Sequence, residues 1–189
     1  VTKGNTKAVL TVEKVGKVDL PAPDIFFGND KMEVTDTDIY KSDQAFTQGQ
    51  MITVTGIDNL NEWWIDPDFF EKQSDGALKF LPINGDYRVT ANAVLKYFSV
   101  MALKDGKPAK LQDDGTGAIW AIGKGIGKPS VTSSEVGWEP SKALCLAQVA
   151  SKKYQLTLKA GETLKTSGDP EVISFKFFHQ NDWGGEFGN

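Results

Sequence analysis

Ala77-Leu78-Lys79-Phe80-Leu81 runs through Asn84-Gly85 into Asp86-Tyr87-Arg88-Val89-Thr90 and then into Leu95-Lys96-Tyr97-Phe98-Ser99-Val100. Each run is short, polar and apolar residues alternate along it, and turn-forming residues separate the first two. That is the pattern of half-buried strands joined by tight turns. Outward from this stretch the same reading repeats. Met51-Ile52-Thr53-Val54-Thr55-Gly56 is rich in β-branched residues, and further strands are expected at Ala118-Ile119-Trp120-Ala121-Ile122, Tyr154-Gln155-Leu156-Thr157-Leu158 and Val172 to Phe178. Turn signals lie between them at Lys104-Asp105-Gly106-Lys107-Pro108, Asp113-Asp114-Gly115 and Ser167-Gly168-Asp169-Pro170. Near the start, Ala8-Val9-Leu10-Thr11-Val12 reads as a lead-in strand, and Leu20-Pro21-Ala22-Pro23-Asp24 as an extended connection that two prolines keep from being helical.

Only Asp66 to Gln73 and Pro140 to Ala150 tempt a helical reading, each of one to three turns. The expected fold is therefore all-β: two tandem antiparallel β-sandwich modules of the immunoglobulin-like or carbohydrate-binding kind, with few short helical turns. A chain of 189 residues fits two such modules of about 90 residues each. Residues 1–44 read as lead-in strand and linker, 45–103 as the first sandwich with part of that lead-in, and 104–189 as the second. A weak internal likeness, Leu78-Lys79-Phe80 before Asn84-Gly85-Asp86-Tyr87 and Phe175-Lys176-Phe177 before Asn181-Asp182-Trp183-Gly184, supports the division and places the boundary within Lys104–Gly117.

The net charge of −4 and a pI near 5.1, with lysines scattered along the chain, leave no basic stripe for a phosphate backbone, so no nucleic-acid partner is expected. No apolar run is long enough to span a bilayer, and Val1-Thr2-Lys3-Gly4 is neither an export h-region nor a lipid-attachment site. The expectation is a cytosolic protein or one whose export signal has been removed. Cys145, the single cysteine, sits in Ala143-Leu144-Cys145-Leu146-Ala147 and reads as a buried structural thiol rather than a nucleophile activated by the single histidine, His179.

Five tryptophans are present, and their neighbours separate them. Trp120 lies between Ile119 and Ile122 in an expected strand and reads as core. Trp63-Trp64 follows Asp58-Asn59-Leu60-Asn61-Glu62, Trp138 follows Gly137, and Trp183 stands in Gln180-Asn181-Asp182-Trp183-Gly184-Gly185. An indole among polar loop residues suits sugar recognition: the C–H face of a pyranose stacks on the ring while its hydroxyls find donors and acceptors at the edge. The competing reading makes these rings amphipathic plugs at the ends of the sandwich. Adjacent strand residues face opposite sides, so one of Trp63 and Trp64 is expected in the core, with Trp64 kept as a glycan-binding candidate.

Asp66-Pro67-Asp68 reads as a helix cap followed by proline at the first helical position, with Ca²⁺ ligation as the alternative. Gly123-Lys124-Gly125-Ile126-Gly127-Lys128 misses both phosphate-loop spacings and reads as a surface turn with a lysine at a ligand rim. No metal-spaced Cys/His set and no nucleophile–base constellation stands out, so neither cofactor nor metal is expected. The chain is expected not to be an enzyme, although an acidic pair of the kind a glycosidase uses cannot be singled out among 25 acidic residues.

Ile119-Trp120-Ala121-Ile122-Gly123, Gly137-Trp138, Tyr154 to Leu158, and Phe175-Lys176-Phe177 with Asn181-Asp182-Trp183-Gly184 together resemble the C-terminal modules of SusE/SusF-type outer-membrane glycan-binding lipoproteins. The likeness covers residues 117–187, and residues 45–103 match it as a degenerate copy. It implies β-sandwich carbohydrate-binding modules tethered by a lipid to the outer face of the outer membrane, where they capture polysaccharide such as starch for a TonB-dependent transporter complex. On this resemblance Trp138 is the stacking candidate and the final turn offers Asn181, Asp182 and Trp183 as its polar and aromatic surroundings, while Lys176, which alternates with Phe175 and Phe177, is placed to donate to a sugar hydroxyl. This chain departs from the pattern in its longer, polar loop between Gly123 and Gly137 and in having no lipid-attachment cysteine. An adhesion or scaffold protein binding other proteins at the cell surface is the alternative, and it requires the aromatics to form one contiguous apolar patch.

Overall fold

The computed structural model describes residues 21–187, so the expected lead-in strand Ala8–Val12 lies outside the described residues. The chain is all-β and forms two sandwich modules. In the first, a five-stranded antiparallel sheet runs in the order Lys107–Pro108, Tyr97–Lys104, Gly85–Asn92, Ile39–Phe46, Glu33–Asp36. Its register lines up Tyr40, Ala91 and Phe98 in one row and Ser42, Val89 and Val100 in the next, and these are the buried positions. The period-2 alternation read from the sequence is thus the alternation that fills the core.

Two three-stranded sheets supply the rest of this module. One is Asp30–Lys31, Phe26–Phe27 and Val54–Thr55, and the other is Met51–Ile52, Leu78–Phe80 and Phe70–Lys72. Phe27 packs edge-on against Phe98 across the sandwich at 5.2 Å between centroids, and Phe46 packs on Phe80 at 4.9 Å. The run Met51–Gly56, read as one strand, is divided: Met51 and Ile52 pair with Lys79 and Leu78, while Val54 and Thr55 pair with Phe27 and Phe26. Residues expected to form a linker also belong here, because Ile39–Phe46 is an interior strand of the five-stranded sheet.

The second module is built on Trp120–Gly127, a strand buried along nearly its whole length. Ser174–Phe178 pairs with one edge, and Leu144–Cys145 and Glu135–Gly137 pair with the other. Here the sequence reading needs correction. Gly123 to Gly127 is this buried strand, not a surface turn, and its glycines are there because neighbouring backbones come too close for a side chain. A Cβ on Gly123 would lie 2.3 Å from the Ser174 carbonyl oxygen, and one on Gly127 would lie 2.4 Å from that of Ser134.

Asp66 to Gln73 is a turn that leads into the strand Phe70–Lys72, not a helix. Within Pro140 to Ala150, only Pro140–Lys142 is helical, as a single 3₁₀ turn before the strands Leu144–Cys145 and Ala147–Ala150. The internal likeness has no topological counterpart. Leu78–Phe80 is the middle strand of a three-stranded sheet, whereas Ser174–Phe178 pairs with Trp120–Gly127 alone among the named strands.

The two modules share one hydrophobic core, which includes Phe98, Ala109, Trp120, Cys145 and Phe178. Trp120 is fully buried, and its indole N–H donates to the Ala109 carbonyl at 3.0 Å. The Cys145 thiol accepts the Ala102 N–H at 3.5 Å, and burial pushes its pKa up to about 12. It is the inert structural thiol the sequence suggested.

Candidate functional site

Two regions gather the side chains that carry chemistry. The first is an aromatic ledge on the second module. Gly137 ends the strand Glu135–Gly137 in a left-handed conformation (φ 59°), turning the chain so that Trp138 emerges at the surface. Trp183 sits on the turn after Ser174–Phe178. That turn is pinned by Asp182 Oδ1 accepting the Trp183 N–H at 2.7 Å, by Gln180 Nε2 donating to the Trp183 carbonyl at 2.6 Å, and by the His179 N–H donating to Gly185 at 2.7 Å.

The two indoles stack at 6.3 Å between centroids with 25° between their planes, and Trp183 rests edge-on against the buried Phe178 at 5.9 Å. Trp138 stays 38% exposed and Trp183 50% exposed. Two contact layers of about 3.5–4 Å each are needed to seat a sugar between parallel rings, so this spacing admits none. The outer faces and edges remain available, and neither indole N–H has a protein acceptor among the described residues, in contrast to Trp120.

The other expected site residues divide. Asp182 and Asn181 build the turn that carries Trp183. Asn181 Oδ1 is buried without a hydrogen-bond partner among the described residues. Lys176 is exposed and ion-paired to Glu186 at 2.9 Å. Trp64 does not join the ledge: it is half-buried at the junction of the modules, with the Lys128 ammonium 6.0 Å from its ring centroid. Trp63 is the core member of the pair, stacked on Phe98 at 4.8 Å.

The second region is that junction. Lys128, read from sequence as a rim lysine, is buried and spends all three ammonium protons inside the protein. It donates to Asp66 Oδ1 and Oδ2 at 2.9 and 2.8 Å and to Asp68 Oδ2 at 2.8 Å. Asp68, with no exposed surface, also accepts the Thr157 N–H at 2.7 Å, the Thr157 hydroxyl at 2.6 Å and Gln155 Nε2 at 2.9 Å. Asp66 Oδ1 accepts the Asp68 N–H at 3.0 Å, so this carboxylate caps a turn and not the helix expected of it.

A lysine thus stands where a bound cation was considered. Among the described residues no group of three or more His, Cys, Asp or Glu is arranged to hold a metal. Burial pushes the Asp66 carboxyl above its ordinary value despite Lys128. At Asp68 burial acts the same way, but Lys128 and the Thr157 donors outweigh it and leave the carboxyl below the usual range. One ammonium does not stabilise two desolvated carboxylates equally, and the one with more donors is favoured as the carboxylate more strongly. Only the Asp-Pro-Asp spacing hinted at this cluster, since its cationic partner lies some sixty positions away.

Residues 11–111 match a family described as a domain of unknown function (DUF5125), and residues 114–189 match a second described as a domain of unknown function (DUF5121). The first match ends at residue 111 and the second begins at residue 114. No curated protein and no solved structure matches the chain.

Proposed function

Because the chain belongs to the DUF5125 family through more than half its length and carries a DUF5121 domain in tandem, neither described with a function, we propose a role from the geometry: non-catalytic capture of polysaccharide on the Trp138–Trp183 ledge. The observation that carries this reading is the exposed, stacked indole pair, with Trp183 fixed by a hydrogen-bonded turn and neither N–H given a protein acceptor among the described residues. A flat apolar platform with polar edges complements the alternating C–H and O–H surfaces of a glycan. The finer reading follows the likeness to SusE/SusF-type lipoproteins: a surface protein of the outer membrane, anchored by lipid, holding starch or another glucan for an associated transporter.

An open ledge encloses few hydrogen bonds, so affinity is expected to be weak, with a Kd on the order of 10 μM to 1 mM per site, about −4 to −7 kcal/mol. Native electrophoresis through gels containing single polysaccharides tests the proposal. Retardation by at least one glycan, lost on Trp138→Ala with Trp183→Ala, supports it; unchanged mobility in every glucan, mannan and xylan overturns it.

One observation favours a second reading, adhesion to another protein. Ile173, Phe177 and Phe187 are all exposed, and Phe175 and Phe177 meet at 5.8 Å, an apolar cluster that an adhesive surface would use. Retention of a partner protein that is lost on Phe177→Ser and kept in the double tryptophan variant would favour this reading.

A further inference from the structure

We propose that the cleft between the two modules is a second binding site, built for a neutral, hydroxyl-rich small molecule of about mono- to trisaccharide size. Its volume, about 640 Å³, falls in the ~300–1,000 Å³ range of small-molecule pockets. The proposal does not rest on the ledge.

One wall is the strand Tyr97–Lys104 of the first module, and the other is the helical turn Val131–Ser134 of the second with the segment that follows it. Alternation along the first wall buries Phe98 and Val100 and leaves Ser99 exposed. The opposite wall adds Thr132, Ser133, Ser134 and Ser141. Ser99, Thr132 and Ser141 have no side-chain hydrogen bond among the described residues. Ser133 shares its hydroxyl with Ser130 and Ser134. Each hydroxyl can donate and accept, so this lining suits a ligand whose own groups do both.

The cationic groups that reach the cleft are already taken. Lys128 is held by Asp66 and Asp68, Lys142 by Glu139 at 2.9 Å, and Glu135 accepts the Gly125 N–H at 2.9 Å and the Ser167 hydroxyl. An anionic ligand has to draw Lys128 or Lys142 away from its carboxylate partners, and at Lys128 that leaves uncompensated buried charge. What remains to recognise a ligand is hydroxyls together with the apolar flanks of Tyr97, Met101 and Leu144. Gly137 and Glu139 border the cleft but Trp138 between them does not, so cleft and ledge lie on opposite sides of one segment.

Saturation-transfer NMR and calorimetry with maltose, cellobiose and myo-inositol as neutral probes, and glucose 6-phosphate and glucuronate as charged ones, test the assignment on the whole chain. At least one neutral probe is expected to bind, to bind better than the charged ones, and to lose roughly tenfold or more in affinity on Ser99→Trp. Thr132→Trp serves as a second blocking variant should Ser99→Trp unfold. The same probe is expected to bind Trp138→Ala/Trp183→Ala within about twofold, and gel retardation by polysaccharide is expected to survive Ser99→Trp, so the two sites fail separately. No binding of any neutral probe, preference for a charged one, binding unchanged in both blocking variants, or loss in the tryptophan variant alone overturns the proposal.

Discussion

The junction and the ledge are opposites. At the junction, Lys128, Asp66 and Asp68 are buried, every ammonium proton is used, and partners come from three separate stretches of chain. At the ledge, two large side chains stand half in water with their N–H groups unused by the protein. Satisfied buried polar groups are what a structure needs for its own integrity, whereas unspent surface chemistry is what it can offer to something else. On the proposed reading, the first region serves stability and the second serves recognition.

The largest expected effect breaks that contrast at its buried end. Lys128→Met leaves two carboxylates facing each other without a counter-charge and is expected to cost about 3–5 kcal/mol in urea unfolding. Asp68→Asn keeps part of the hydrogen bonding but loses the charge, with an expected cost of about 1–3 kcal/mol near pH 7. The pH dependence sharpens this case. The folded pKa of Asp68 is depressed, so its contribution is present above the ordinary Asp pKa of about 3.9 and is lost as pH falls through the folded value. Asp66 is raised, so its contribution has the opposite sense and is lost as pH rises through its folded value. Unfolding curves of wild type and Asp68→Asn should therefore converge as the pH is lowered below about 4.

At the ledge, Trp138→Ala with Trp183→Ala is expected to abolish glycan retardation while lowering stability by no more than about 1 kcal/mol. A loss of several kcal/mol in thermal unfolding would make the ledge structural and erase the contrast. The smallest effect belongs to a control of the same ionic chemistry at the surface. Arg88 grips Asp43 through two bonds of 2.7 Å, yet both side chains are partly solvated, so Arg88→Met should cost at most about 1 kcal/mol by urea titration.

What the sequence disclosed follows the range of the forces involved. Alternation is a local property, so the strands around Tyr87, Phe98 and Phe175 were legible, as were the buried Trp120 and the surface positions of Trp138 and Trp183 among polar neighbours. The helical reading at Asp66 failed because the carboxylate that looked like a cap is claimed by Lys128 from the other module. The glycines of Gly123–Gly127 looked like a turn because the sequence does not show that the Ser174 and Ser134 carbonyls press against them. The indole stack escaped notice for the same reason, since its two rings come from separate loops that only the tertiary fold brings together.

The ammonium of Lys128 and the carboxylates it holds lie on opposite sides of the boundary between the two family matches. Cutting the chain there would hand one fragment a stranded cation and the other a stranded pair of anions, besides opening the common interior beside Trp120 and Ala109. The halves are therefore not interchangeable beads: they are expected to melt as one unit, and a graft of either one has to bring its complement along.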